Sequence, residues 1–134
     1  MPFRRFHPNW RAYEYQARIT GFAYDTEYCK WSDVWNWQGT AMRGPFNIDF
    51  DGFISATCLL QETQGNYDSF IDGDGEQAGW FGGFKDMRLQ ASRQTAAVRS
   101  NPPARLRWYF QTPRPQAFLR PLLNSLGAES VVIP

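Results

Sequence analysis

The sequence predicts a single α/β domain in which a central mixed β-sheet is flanked by helices. Its 134 residues are enough for one compact domain and too few for two ordinary ones. The chain is 43% hydrophobic and 17% aromatic, so it can fill a core and lacks the composition of a disordered protein. Stretches with helical and strand periodicity follow one another in the order α-β-β-β-α-β-α-β, which is typical of helices packed on a sheet.

The first half of the chain contains one helix and three extended stretches. Asn9 is a suitable N-cap for a helix that ends at about Ile19. Residues 22–37 are rich in aromatic side chains and are predicted to form a strand and a loop. Residues 46–53 alternate apolar and polar side chains with a period of two, which indicates a strand, and residues 58–64 are predicted to form the next one.

The second half of the chain alternates helix and strand. Two glycine-rich segments, at 72–75 and 79–83, are predicted to be loops. In the helix that follows them, apolar side chains recur at helical spacing. The predicted elements are a helix at 85–100, a strand at 105–112, a helix at 116–126 and a strand at 130–133.

The net charge of +1 conceals an uneven distribution of charged residues. Residues 19–76 contain ten acidic and two basic side chains, whereas residues 77–134 contain eight basic and two acidic ones. A metal-dependent enzyme that acts on phosphates needs carboxylates to hold a cation and guanidinium groups to hold the polyanion. Twelve of the 14 basic residues are Arg, the better bidentate partner for phosphate. Two plainer interpretations stay open: charge balance within one fold, and a bias in genomic base composition.

The composition disfavours several other classes of protein. No apolar run approaches the roughly 20 residues that a membrane-spanning helix needs, and no secretory signal peptide is expected, so no membrane partner is predicted. Two cysteines cannot build a disulfide scaffold, which favours a reduced, cytoplasm-like environment. His7 is the single histidine and has no Cys or Ser pattern around it, which argues against a Cys–His or Ser–His hydrolase.

Asp51 and Glu62 are predicted to lie side by side on neighbouring strands. The link between them is short enough for the strands at 46–53 and 58–64 to be antiparallel neighbours. Two carboxylates this close repel unless a cation joins them, and hard oxygen ligands favour Mg²⁺ or Mn²⁺. Such an ion polarises a phosphate and lowers the pKa of a bound water. The alternative is that these are ordinary strand-edge and turn residues, which is the preferred interpretation for Asp49.

The same two strands resemble a known protein family. Residues 49–53 (DFDGF) and 58–68 (CLLQETQGNYD) look like the core of the restriction-endonuclease-fold toxin 5 family, which supplies nuclease toxin domains to bacterial secreted effectors, including type VI secretion effectors. The resemblance covers most of the chain and extends to residues 15–21 with Glu27, to Arg93-Gln94 and to residues 106–111. It implies a restriction-endonuclease-like PD-(D/E)xK core.

The resemblance also implies which residues form the active site. The superfamily carries an Asp followed by Glu-x-Lys on adjacent strands, and Asp51 and Glu62 match the first two positions. Gln64 stands in the position of the Lys, which helps to position the attacking water and offsets negative charge in the transition state. Gln can hydrogen-bond a water but carries no charge. Two interpretations stay open, a natural variant that keeps activity and a weakened or altered enzyme. A shifted alignment, with Gln61 and Thr63 in these positions, would abolish the site.

A further metal ligand is suggested on the first helix. Many members of the superfamily provide an additional Glu from this helix, and Glu14 matches it, on the same helical face as Trp10 and Tyr13. A carboxylate on an apolar face needs a partner. The alternative partner for Glu14 is Arg18, one turn away. Glu27 is a weaker candidate neighbour of the metal.

The candidate nucleic-acid contacts lie on the long helix and the strand after it. Gln90 and Gln94 are one turn apart beside the apolar stripe, with Arg93 next to them. In related nuclease folds a polar helix residue of this kind reaches over the active site to a phosphate or a water, although most helical Gln residues are simply solvated. Arg107 alternates with Trp108 and is predicted to follow a nucleic-acid backbone with other arginines, the alternative being a role in surface solubility.

We expect residues 1–134 to form a single domain that cuts DNA as a Mg²⁺-dependent phosphodiesterase, and the resemblance implies that it is a nuclease-toxin-like domain from the C-terminal part of a longer effector. The resemblance implies a cognate immunity protein and contact with secretion machinery or a chaperone through the missing N-terminal region. It also implies delivery by a type VI system from the cytoplasm of the producer into the cytoplasm of a target bacterium. The alternative is a catalytically inactive module of the same fold that binds nucleic acid or protein. A toxin directed at RNA or protein is a third hypothesis.

Overall fold

The computed structural model describes residues 3–5, 10–21, 24–25, 30–32, 35–41, 44–65 and 81–134. In chain order, its elements are β1 (Phe3–Arg5), α1 (Trp10–Thr20), β2 (Tyr24–Asp25), β3 (Lys30–Ser32), β4 (Trp35–Ala41), β5 (Gly44–Phe50), β6 (Gly52–Ile54), β7 (Leu59–Gln64), α2 (Phe81–Arg99), β8 (Arg105–Phe110), α3 (Pro113–Leu126) and β9 (Glu129–Val132). A turn of 3-10 helix, Ser55–Thr57, joins β6 to β7. The predicted loop at 72–75, His7 and Glu27 lie outside the described residues.

A mixed sheet with the strand order β6-β7-β8-β9 forms the centre of the fold. β6 is antiparallel to β7, whereas β7, β8 and β9 run parallel to one another. α2 and α3 pack on one face of this sheet and α1 on the other. The predicted α/β class, with a mixed sheet flanked by helices, is therefore confirmed. β4 and β5 form a separate antiparallel hairpin, and β1, β3 and β2 form a small antiparallel sheet.

Side chains of β7 and β8 point alternately to the two faces of the central sheet. On the α1 face, the Gln61 amide donates a hydrogen bond of 3.1 Å to the Tyr109 hydroxyl. On the α2 face, Trp108 is completely buried in the main core. Glu62 is the neighbour of Trp108 in the parallel register, so its side chain also points to the α2 face.

The main hydrophobic core lies between the central sheet, α2 and α3. Trp108, Phe84 and Phe110 are among its largest fully buried side chains. Phe118 of α3 packs against Phe84 of α2, with ring centroids 4.8 Å apart, which joins the two helices. Burying one such side chain stabilises a fold by roughly 1.5–3 kcal/mol, so this core holds α2 firmly over β7 and β8.

α1 is held on the opposite face by a contact between distant parts of the chain. Tyr15 is only 1% exposed, and its hydroxyl donates a hydrogen bond of 2.6 Å to the carbonyl oxygen of Ile133, which directly follows β9. Burial raises the pKa of Tyr15 to about 12, so the hydroxyl keeps its proton and remains a donor. The first helix and the last strand are therefore fixed to each other.

The single strand predicted over residues 46–53 is divided in two at Asp51. β5 pairs with β4, with Phe50 opposite Trp35. β6 pairs with β7, with Gly52 opposite Gln61. The alternation of apolar and polar side chains continues through both strands, so periodicity did not reveal that the chain changes its pairing partner at this position.

Two helices begin earlier than predicted. α2 starts at Phe81, so residues 81–83 are helical and not part of a loop. α3 starts at Pro113 instead of residue 116, because proline lacks an N–H and is well tolerated in the first turn of a helix. α3 ends just before Gly127, whose φ of +84° suits the left-handed cap position.

Within the described residues, no helix has the length and apolar character needed to cross a membrane.

Gly52→Ala is expected to destabilise the protein. A Cβ atom at this position would lie 2.5 Å from Gln61 Oε1 and 2.9 Å from Thr20 Cβ, so α1 or β7 would have to move. Overpacking of this kind costs about 1–3 kcal/mol in the free energy of unfolding. Urea denaturation of Gly52→Ala, with the exposed Ser55→Ala as a control, measures the loss. Equal midpoints for the two variants would contradict the close approach of α1 to β6.

Candidate active site

Asp51 lies where the chain passes from the β4–β5 hairpin into the central sheet. Its backbone N–H donates a hydrogen bond of 2.9 Å to the carbonyl oxygen of Gln61. Its carboxylate oxygen Oδ2 accepts hydrogen bonds from the backbone N–H of Thr63, at 2.7 Å, and from the Thr63 hydroxyl, at 3.0 Å. Two donors from one residue fix the orientation of this half-buried carboxylate.

Glu62 lies beside Asp51 and beneath α2. It is only 5% exposed. Its Oε1 accepts a hydrogen bond of 2.9 Å from the Gln94 amide, and its Oε2 accepts one of 2.9 Å from the Gln90 amide. The carboxyl groups of Glu62 and Asp51 are themselves in hydrogen-bonding contact. Two amides from one helix and a neighbouring carboxyl group therefore determine where the Glu62 carboxyl points.

Burial raises the pKa of Glu62 well above its ordinary value of 4.5, and the negative charge of Asp51 raises it further. The hydrogen bonds donated by Gln94 and Gln90 act in the opposite direction, because they favour the ionised carboxylate, but they do not offset the larger effects. Without a cation, the pair thus retains a proton at pH values at which an isolated Glu has lost it. A divalent cation bound by both oxygens would remove the repulsion that keeps this proton in place.

Gln94 is held between Glu62 and the indole of Trp108. It is fully buried, and its Oε1 accepts a hydrogen bond of 3.0 Å from Trp108 Nε1 while its amide N–H donates to Glu62. Both ends of its amide are therefore engaged inside the protein, and a contact of Gln94 with a phosphate or a water stays a prediction. Gln90 is half-buried and also donates to Glu62, so it too serves the carboxyl group in this structure.

Gln64 lies on the same side of β7 as Glu62, as the alternation predicts. Its amide is 3.4 Å from Glu62 Oε2, a long hydrogen bond, and the side chain is 5% exposed. The amide donates to the carboxylate without neutralising its charge. Gln64 is thus in the position from which a water beside the Asp51–Glu62 pair could be hydrogen-bonded.

The structure does not bring Glu14 to this carboxyl pair. Glu14 is exposed on α1, which packs on the opposite face of the central sheet from α2. Among the described residues, no group of three or more His, Cys, Asp or Glu side chains is placed to hold a metal ion. The prediction that Glu14 completes a metal shell gains no support from this arrangement, because a helical register alone does not reveal which face of the sheet the helix covers.

The two candidate arginines have different surroundings. Arg107 lies on the Tyr109 face of the sheet, 6.0 Å from the Tyr109 ring centroid, and its guanidinium forms an ion pair of 2.8 Å with Glu129. It is therefore on the opposite face from Glu62, which corrects the prediction of a common nucleic-acid surface with the α2 residues. Arg93 is exposed on α2 and borders a groove between α2 and β5.

Sequence reasoning missed two residues that organise the pair, Thr63 and Trp108. Thr63 was overlooked because its contact with Asp51 runs partly through the backbone, which no residue pattern shows. Trp108 is a core residue whose indole N–H also needs a buried acceptor. The signal that could have revealed it is a Gln one turn beyond Gln90 on a helix that must face the strand.

The donor set of the pair suits a small, hard cation. Asp51 and Glu62 offer carboxylate oxygens that repel each other when both are ionised. Mg²⁺ keeps several of its own waters and is commonly bound through only one or two carboxylates together with substrate phosphates, so two protein ligands are sufficient for it.

The family model described as restriction endonuclease fold toxin 5 matches residues 12–113, which include all the residues of the carboxyl pair and its hydrogen-bond partners. A search of the curated proteins found no match.

Proposed function

Since this chain belongs to the restriction endonuclease fold toxin 5 family, we propose that it is a nuclease toxin that cleaves DNA with the help of a divalent metal ion. The observation that carries this proposal is the contact between the carboxyl groups of Asp51 and Glu62 on adjacent strands. Restriction-endonuclease-fold nucleases typically use divalent metals, and the ion proposed here is Mg²⁺ or Mn²⁺.

In the proposed site, each residue of the chain has a distinct task. Asp51 and Glu62 would hold the metal ion, which supplies polarisation of the phosphate and a lowered pKa of its bound water. Thr63 orients Asp51, and Gln94 orients Glu62, so that neither carboxylate has to rearrange on binding. The Gln64 amide would hydrogen-bond the attacking water without adding a positive charge.

The proposal extends to the biology that the family suggests. The chain would be the C-terminal domain of a longer effector, delivered by a type VI secretion system into the cytoplasm of competing bacteria. The producer would be protected by a cognate immunity protein, and secretion machinery or a chaperone would recognise the N-terminal region of the effector. A nuclease made in a bacterial cytoplasm threatens the DNA of the producer itself, which is why an inhibitor is expected.

Plasmid cleavage tests the nuclease proposal. Supercoiled DNA should be nicked in the presence of Mg²⁺ and not in EDTA. Asp51→Ala should abolish nicking, whereas Asp49→Ala should leave it unchanged, because Asp49 is exposed on the hairpin and accepts a hydrogen bond from Asn36. Equal loss in both variants, or cleavage that continues in EDTA, would contradict the metal site proposed for Asp51.

A second candidate function is a binding module without catalysis, and Gln64 is the observation that favours it. The site offers an uncharged amide where the superfamily pattern has the Lys that stabilises the transition state. In this case the protein would bind nucleic acid or protein through the same fold but would not cleave it.

Gln64→Lys distinguishes a weakened enzyme from a dead one. The new ammonium group would lie beside the carboxylate of Glu62, where it stabilises the ionised form and adds the charge that Gln lacks. Restoring one electrostatic contact in a buried site is expected to raise the nicking rate by about a hundredfold. Gln64→Met, which has similar length and no charge, is the control. If neither the parent nor Gln64→Lys nicks DNA although both bind it, the protein is a binding module without catalysis.

A further inference from the structure

A groove of about 980 Å³ runs between α2 and β5. Its helix wall is a strip of exposed residues with helical spacing, among them Leu89, Arg93, Ala96 and Arg99. Its other wall is the strand segment 44–48 of the β4–β5 hairpin. The volume is at the upper end of the range for ligand-binding clefts, so the groove can hold an extended ligand.

Both walls of the groove belong to elements that also carry parts of the candidate active site. Leu89 lines the groove, and the next residue along α2, Gln90, donates to the Glu62 carboxylate. On the other wall, Ile48 lines it, and Asp51 follows three residues later in the chain. The carboxyl pair and its amide partners do not themselves line the groove.

The charge of the groove is of one sign. Its charged lining residues are Arg93 and Arg99, and as far as the described residues go, no Asp or Glu lines it. The two guanidinium groups are six residues apart on one helix, which corresponds to about 9 Å along the helix axis. Spaced cations without nearby anions favour a ligand that carries repeated negative charges.

Much of the remaining groove lining is apolar. Leu89 is 56% exposed, which is unusual for a large aliphatic side chain. The Phe46 ring is half-buried and packs edge-on against Trp37, with centroids 4.9 Å apart, so it forms a firm part of the wall. Apolar and aromatic surfaces beside cations are what unpaired bases stack on, whereas a duplex keeps its bases inside and presents phosphates.

We propose that this groove binds a single strand of nucleic acid, with Arg93 and Arg99 on its phosphates and the surface around Leu89 and Phe46 against its bases. The proposal rests on the proposed nuclease function in one respect: the bound strand would be part of the substrate that the Asp51–Glu62 pair cleaves. Binding itself requires no cleavage.

Binding in EDTA tests the groove separately from catalysis. The probe is a fluorescently labelled single-stranded DNA oligonucleotide, and the readout is its anisotropy at several salt concentrations. Arg93→Gln and Arg99→Gln are each expected to weaken binding roughly tenfold. Each should also reduce the slope of log affinity against log salt by about 0.7, as expected for one lost phosphate contact on a single strand. Arg120→Gln, an exposed arginine on α3, should change neither quantity.

A steric variant separates the groove from general surface charge. Ala96→Trp fills the groove without altering the net charge, because Ala96 is an exposed lining residue. It should weaken binding as much as the loss of an arginine. Ala117→Trp, at an exposed position on α3, is the matched control and should bind normally. Thermal unfolding of each variant checks that the fold is kept. If Ala96→Trp does not fold, the binding measurements on Arg93→Gln and Arg99→Gln test the proposal.

The outcomes distinguish the two proposals. If the parent protein cuts no DNA but the groove variants lose oligonucleotide binding, the groove proposal is supported and the nuclease proposal is refuted. If the parent nicks plasmid and all groove variants bind the oligonucleotide as the parent does, the groove proposal alone is refuted. Duplex DNA that binds as tightly and is weakened equally by the variants would overturn the single-strand assignment. Displacement of the oligonucleotide by polyglutamate at equal charge would also overturn this assignment, because the ligand of the groove would then be an acidic protein segment.

Discussion

Glu62→Gln is expected to abolish the proposed metal-dependent cleavage and, in EDTA, to make the protein more stable at neutral pH than the parent chain. The loss of cleavage follows from removing one of the two carboxylates proposed to hold the metal, and a decrease of at least about a hundredfold in rate is expected. The gain in stability follows from replacing a buried ionisable group by a neutral one of the same shape. The half-buried Gln90 can turn its amide to suit the new side chain.

The pH dependence of this gain has a definite sign. At low pH the Glu62 carboxyl is protonated in both folded and unfolded chains, so the two proteins differ least there. As the pH rises past the ordinary value of 4.5, unfolded chains lose the proton while the folded chain keeps it, because burial and Asp51 raise the pKa of Glu62. The stability that the parent derives from the protonated carboxyl is therefore lost as the pH rises towards the raised pKa.

Urea denaturation in EDTA across the acidic and neutral range measures this difference. The midpoint of Glu62→Gln should rise relative to the parent as the pH increases. Glu129→Gln is the control, with the opposite trend: hydrogen bonds from Arg105 and Arg107 lower the pKa of Glu129, so its contribution is present above the ordinary pKa and is lost as the pH falls. A constant difference between Glu62→Gln and the parent at all pH values would refute the buried, proton-retaining pair.

Gln94→Met is expected to weaken the proposed metal binding by about ten- to a hundredfold, the usual effect of removing a residue that orients a metal ligand. Met is similar to Gln in length but cannot donate to Glu62 or accept from Trp108. The indole N–H of Trp108 is left buried without its partner, which costs about 1–3 kcal/mol in the free energy of unfolding. Both effects come from the loss of one amide that joins the core to the site.

Isothermal titration with Mn²⁺ separates the positioning role of Gln94 from its structural role. Thr95→Val is the matched control, because Thr95 is a neighbouring buried residue whose hydroxyl bonds only within α2, to Ala91 and Ser92 carbonyl oxygens. It should lower stability without changing the affinity for Mn²⁺. In the Trp108→Phe background, Gln94→Met should lower the free energy of unfolding by less than it does in the parent, because the indole N–H that would lose its partner is absent. An unchanged affinity for Mn²⁺ in Gln94→Met would show that Glu62 needs no support from α2.

The parts of the fold that the sequence predicted are those specified by local pattern. β8 begins with alternating basic and apolar side chains, and α3 starts with a proline and is capped by Gly127, so local sequence is sufficient to predict both elements. The proximity of Asp51 to Glu62 also follows from local rules, because only a short link separates two strands.

Where a residue lies relative to Glu62 depends on which face of the sheet its element covers. No short-range sequence pattern encodes that choice of face. Glu14 and Arg107 have the expected periodicity but lie on the α1 face, away from Glu62. Gln94 was predicted to reach a phosphate or a water over the active site, and in the structure its amide accepts a hydrogen bond from the buried Trp108 indole and donates to Glu62. These are long-range requirements of hydrogen bonding, visible only once the sheet and α2 are packed.

The hydrogen bond from Tyr15 to Ile133 has a consequence for the order of events during protein synthesis. Because its two ends are 118 positions apart, α1 leaves the ribosome long before the β9 end that holds it. Contacts of such long sequence separation form late and slowly, since a large loop must close first. During synthesis of this domain, α1 can therefore dock on β7 before it gains the contact with Ile133, and a chain whose translation stops before β9 lacks that contact.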